Sequence, residues 1–181
     1  MDIFLWALIG GFALLILATL WNVLMAPKER KKPRSLYQHF MDKYGFTTND
    51  DANTFNGFYQ GKSVQITTSP LKAFIPVANP RGIHLLLEKG DKTAVDDLVD
   101  TPMEGLQEAV VKSNYPMLVT EMLDEQLIND LNNQPHYAFE LRDGIMVRCP
   151  SLRKADELEE LLRIGVRLAK ALEQINYAYQ K

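Results

Sequence analysis

Hydrophobic positions are unevenly spread along this chain. From Ile3 to Met25 there is no charged residue, and the only polar side chains are Thr19, Asn22 and the indole tips of Trp6 and Trp21. At 1.5 Å per residue the run spans about 35 Å as a helix, slightly more than the ~30 Å hydrocarbon core of a bilayer. Trp6 and Trp21 stand near its two ends, where amphipathic rings favour the headgroup boundary. The pattern predicts a transmembrane anchor over residues 1–26. It is a poor signal peptide: Asp2 replaces a basic n-region, the run is too long, and no small-residue cleavage site follows.

Beyond Met25 the periodicity changes. Pro27 and Pro33 bracket a charged linker, residues 27–34, that cannot be continuously helical. Leu36, Tyr37, Phe40, Met41 and Tyr44 recur at helical spacing up to Gly45. Phe55, Gly57 and Tyr59, then Val64 and Ile66, alternate with polar neighbours. A two-residue turn at Gln60-Gly61 pairs Tyr59 with Lys62, Gly57 with Val64 and Phe55 with Ile66, on one face. Further strands are expected at Ile83–Leu87 and within Leu106–Ser113. A helix from Pro116 to about Asn133 carries Leu118, Met122, Leu123, Leu127, Ile128 and Leu131, with Asp124 capping a break.

In the hairpin Tyr137–Cys149, only a three-residue loop sets the rows Tyr137/Phe139/Leu141 and Ile145/Val147/Cys149 on one side. That pairs Leu141 with Ile145 and is expected to put Gly144 in the left-handed region. The last helix, about Ser151 to Tyr177, has a stripe of Leu158, Leu161, Leu162, Gly165, Leu168, Ala169, Leu172 and Ile175. Asp156 with Glu159 reads as a capping box, and Glu159 with Arg163 as an i, i+4 pair. Gly165, mid-stripe, is expected to let this helix approach a sheet closely. The soluble part, residues 35–181, is therefore α+β: an antiparallel sheet packed against a long C-terminal helix.

Charge adds orientation. Lys28, Arg30, Lys31, Lys32 and Arg34 face Glu29 alone in the linker, whereas the N-terminal side offers Asp2. A basic collar on that side places residues 35–181 in the cytoplasm beneath the inner membrane, with the N-terminus outside. From Ser35 onward the chain carries 15 basic and 21 acidic residues. Such an acidic body argues against nucleic acid as a partner. The collar itself suits an anionic leaflet.

Chemistry is sparse. His39, His84 and His136 have no metal-ligand spacing, and Cys149 is the sole cysteine, so no intrachain disulfide is possible. No nucleophile elbow, phosphate-binding glycine loop or EF-hand is present; Asp91, Asp96, Asp97, Asp100 and Glu104 read as a solvated linker. No cofactor or metal is expected. Two stretches suggest contacts. Ala7, Gly11 and Ala18 share one side of the anchor and would let helices pack in lipid, which allows a homo-oligomer. The proline-framed loop Ser69–Gly82, around Phe74, Ile75 and Val77, is either core or a docking site.

The anchor, the collar, a G-x-Y-x-G-K-x-V turn (Gly57, Tyr59, Gly61, Lys62, Val64) and a late Asp143-Gly144 hairpin before a leucine-rich helix resemble uncharacterised bacterial membrane-anchored proteins. The resemblance implies a small cytoplasmic α+β domain and no activity. The reading is thus a non-catalytic, membrane-tethered interaction module, an accessory or scaffold subunit with protein partners. Its rivals are a domain holding an apolar ligand between sheet and helix, and an enzyme built on His84, His136 or Cys149.

Overall fold

A computed structural model describes residues 37–49, 53–90, 98–148 and 155–179. The anchor residues Ala7, Gly11 and Ala18, the collar Lys28, Arg30, Lys31, Lys32 and Arg34, and Cys149 lie outside the described residues. Contacts divide the chain into residues 1–38 and 39–181. Among the described residues no helix is long and apolar enough to cross a membrane.

Among the described residues nine strands form one antiparallel sheet: β1 (Thr47–Thr48), β2 (Thr54–Tyr59), β3 (Lys62–Thr68), β4 (Leu71–Pro76), β5 (Leu85–Lys89), β6 (Val99–Asp100), β7 (Ala109–Ser113), β8 (Tyr137–Leu141) and β9 (Gly144–Arg148). Their order is β1-β2-β3-β4-β9-β8-β5-β7-β6. Helix α1 is described over 37–44, followed by α2 (Pro116–Met122), α3 (Glu125–Asn132) and α4 (Ala155–Ala178). The expected α+β class, with a large antiparallel sheet and a long C-terminal helix, is what the structure has.

The β2–β3 hairpin has the register that the alternation demands: Tyr59 faces Lys62, Gly57 faces Val64, Phe55 faces Ile66. Gln60 (φ 49°) and Gly61 (φ 82°) are both left-handed, the turn whose twist matches the strands. In the β8–β9 hairpin Leu141 faces Ile145, as expected. Gly144 is not left-handed, however. A Cβ there would lie 2.5 Å from the Phe74 ring and 2.8 Å from the Ile75 carbonyl oxygen, so glycine is required by close approach of β4.

One row of side chains crosses the sheet: Ile66, Ala73, Val147, Phe139, Leu87 and Val111, each the cross-strand partner of the next and all buried. Helix α4 lies on this row. The expected stripe from Leu158 to Ile175 is buried throughout, and so are Ile164 and Val166. A Cβ on Gly165 would stand 2.9 Å from Ile75 Cδ1 and 3.0 Å from Val147 Cγ2. The helix therefore meets the sheet at contact distance. There is no room for an apolar ligand between sheet and α4 at this point, which removes the physical basis of the enclosed-cavity expectation there.

Asp124 does break the expected long helix. Its carboxylate accepts the Leu127 N–H at 2.7 Å, capping α3. Asp124 also receives Arg167 at 3.2 Å, and Asp130 receives Arg167 at 2.6 Å and Arg163 at 3.3 Å, tying α3 to α4. The expected Glu159–Arg163 pair is absent: Arg163 binds Glu160 instead. Glu159 does not act as a capping-box residue either, because its carboxylate is engaged by Lys43 and Tyr44 of α1.

Tyr137 is 1% exposed, and among the described residues its hydroxyl has no hydrogen-bond partner. Burial alone pushes this phenol far above its ordinary pKa. Tyr137→Phe removes a desolvated, unpaired hydroxyl while keeping the ring, so it should leave stability unchanged or raise it by up to about 1 kcal/mol. Urea unfolding of the full chain checks this; a loss above that size would reveal a hidden partner for the hydroxyl.

Candidate functional site

The proline-framed stretch is mostly strand. Phe74 and Ile75 belong to β4, which is hydrogen-bonded on both sides, to β3 and to β9. Ile75 and Val77 are buried, so they are core residues and no exposed docking loop. Phe74 points to the opposite face and is half-buried. The signal was present in the alternation of Leu71, Ala73 and Ile75 with Lys72. Pro70 precedes the strand and Pro76 ends it, positions where a missing N–H is tolerated.

Two features organise the surface. The first lies where α1, β2 and α4 meet. Phe40 packs against Tyr44, Phe46 and Tyr59 with ring centroids 4.8, 5.6 and 5.9 Å apart. A Cβ on Gly57 would strike the Phe46 ring, so glycine makes the seat for it. Over this cluster Tyr44 Oη and Lys43 Nζ donate to the Glu159 carboxylate, Lys43 at 3.0 Å. Hydrogen bonding from Tyr44, then from Lys43, holds the Glu159 carboxyl below the ordinary glutamate range. Burial, and next the Glu159 charge, push the Tyr59 phenol up to about 12.

Because Glu159 is easier to ionise when folded, its contribution to stability is present above the unfolded value of about 4.3 and is lost as pH falls below it. Glu159→Gln should therefore destabilise the chain at pH 7 and hardly at all near pH 3. Comparing urea midpoints of the two proteins at both values tests this. An equal difference at pH 3 would show that the carboxylate charge is irrelevant.

The second feature is the sheet face turned away from the helices. There Arg142 Nε donates to His84 Nε2 at 2.8 Å and meets Glu140 Oε1 at 3.1 Å, while Arg148 holds the other oxygen of Glu140. His84 Nε2 stands 3.8 Å from Glu140 Oε1, beyond hydrogen-bond reach. Met146 and Phe74, half-buried, and Phe58, 72% exposed, share this face with Lys72.

The candidate catalytic histidines are not brought together. His84 precedes β5 and His136 precedes β8, and these strands run antiparallel, with Leu85 opposite Leu141 and Lys89 opposite Tyr137. The two histidines therefore sit at opposite ends of the ladder. His136 stacks on Gly90 beside an open cleft of about 260 Å³ lined by Glu88, Lys89, Gly90, Glu108, Val110 and Pro135. Among the described residues no group of three or more His, Cys, Asp or Glu is placed to hold a metal ion.

The fold has a precedent. It is similar to the crystal structure of the mycobacterial trehalose monomycolate transport factor A, TtfA, with a TM-score of 0.62, covering 78% of this chain and 95% of that one at 11% identity. The likeness is one of fold. No protein-family model matches the chain, and no curated protein sequence does. TtfA is named as a transport factor and not as an enzyme.

Proposed function

We propose that this chain is a non-catalytic accessory subunit of a membrane-associated, lipid-transport-related assembly, tethered by residues 3–25 and presenting its α+β domain on the cytoplasmic side. The observation that carries the reading is the shared fold with a transport factor over 95% of that protein's chain. The uncharged run Ile3–Met25 and the basic collar after it supply the tether and its orientation. Confinement to a bilayer raises the effective concentration of partners there, which suits an assembly role.

Affinity purification of the full chain at native expression, in mild detergent, tests this. The expected result is co-purification with at least one integral membrane protein. Recovery of the chain alone and monomeric would overturn it. For orientation, a reporter fused after Lys181 should be active only in the cytoplasm, and activity outside the cell would sink that part.

A further inference from the structure

Helices α1 to α4 all pack on one face of the sheet, and among the described residues none packs on the other. That other face has two halves. Over β8 and β5 it is closed, since Ala138, Leu86 and Glu88 are buried. Over β2, β3, β4 and β9, four neighbouring strands, it is open: Gln65 and Lys72 are exposed, Phe58 is 72% exposed, and Phe74 and Met146 are half-exposed.

The charge on this open half is unlike that of the domain around it. Residues 35–181 hold more acids than bases, yet the segments TFNGFY, KSVQITT, LKAFIP and GIMVR contain no Asp or Glu. They do contain Lys72 and Arg148, cross-strand partners that share this face. Arg142 extends the strip past the end of β9, its side chain 57% exposed, and Arg148 is 45% exposed. Glu140, from the neighbouring β8, pairs with both arginines, one carboxylate oxygen to each. One negative charge set between two guanidinium groups leaves that trio net positive.

We infer that the sheet face over β2, β3, β4 and β9 docks on the anionic phospholipid headgroups of the bilayer. The inference rests on the proposed tethering and deepens it. Cations are drawn to an anionic membrane surface by an attraction that fades within a Debye length, so Lys72, Arg142 and Arg148 gathered on one face orient a domain already held nearby. Phe58, Phe74 and Met146 add apolar side chains that can enter the headgroup boundary while the arginine stems lie along it. Docking would leave the helix side of the domain turned toward protein partners.

The full chain, with Cys149→Ser, is reconstituted in nanodiscs of phosphatidylcholine alone or with phosphatidylglycerol. Single cysteines replace Gln65, Met146 or, on the exposed side of α4, Lys170. Maleimide labelling at Gln65→Cys and Met146→Cys should slow at least five-fold in the anionic discs, with Lys170→Cys unchanged. Adding Lys72→Glu, or raising the salt concentration, should restore the rate. Equal rates in both lipids would overturn docking, as would protection that appears only when a protein partner is added, whatever the lipid. Far-UV circular dichroism confirms that each variant is folded. Failure of the chain to remain in the discs after alkaline carbonate treatment would overturn the tether itself, an outcome distinct from retention with equal labelling.

Discussion

Phe139→Ala is expected to destabilise the domain by about 3–5 kcal/mol, the usual cost of emptying a buried aromatic site. Phe139 is 1% exposed and sits in β8 near the middle of the nine-stranded sheet. Val147 and Leu87 flank it on the neighbouring strands, the Tyr137 ring centroid is 5.6 Å from its own, and the small surface of Gly165 covers it. Such a site collapses poorly. The strands on both sides are held by continuous ladders, and α4 cannot sink further because Gly165 already rests on Ile75 and Val147. A domain stable by 5–15 kcal/mol has little margin for that loss. Thermal unfolding of the full chain should show a midpoint lower by roughly 10 °C or more. A drop of only a degree or two would mean that the helix–sheet layer relaxes freely around Phe139.

Gly144 should be nearly as intolerant, and in a way that separates two reasons for glycine. Gly61 has φ of 82° and open space around its missing Cβ, so its constraint is the backbone alone. Asparagine visits that region readily, and Gly61→Asn should cost under about 1 kcal/mol. At Gly144 the obstacle is matter: the Phe74 ring can rotate away, but the Ile75 carbonyl belongs to the β4–β9 ladder and cannot move without breaking it. Gly144→Ala and Gly144→Asn should therefore both cost about 2–3 kcal/mol or more, in the range of overpacked cores. Urea midpoints of the three variants decide the matter. If Gly144→Asn proved as mild as Gly61→Asn, the close approach of the two strands would be wrong.

The same contrast shows where the sequence stops being informative. Local alternation is enough to place the turn at Gln60-Gly61 and the register of β2 on β3, because a slip by one residue would turn Phe55, Gly57 and Tyr59 to the wrong face. Likewise Leu141 must face Ile145 for the two apolar rows of the last hairpin to unite. The reason for Gly144 was invisible, since it depends on β4, some seventy residues earlier in the chain. The strand β4 itself was obscured by the prolines at its ends. Glu159 and Arg163 stand at ideal helical spacing for each other, yet each found a different partner, on α1 and on α3 respectively, once those helices were docked.

Surface chemistry followed the same rule. The basic strip of the open face draws Lys72, Arg142 and Arg148 from two distant segments, and no window of sequence contains it. The His84–Arg142–Glu140 contacts likewise join β5 to the β8–β9 hairpin through sheet order alone.

The sequence by itself determined the α+β class, the hairpin registers, the α2–α3 break at Asp124 and the stripe that α4 buries. These rest on the two- and 3.6-residue periods, which act over a few residues. Only the tertiary structure decided that the last hairpin inserts between β4 and β5, that the helices among the described residues choose one face, and that the cations gather on the other. Those outcomes depend on which strands pair across long separations, and pairing is settled by the total apolar area that a whole arrangement can bury.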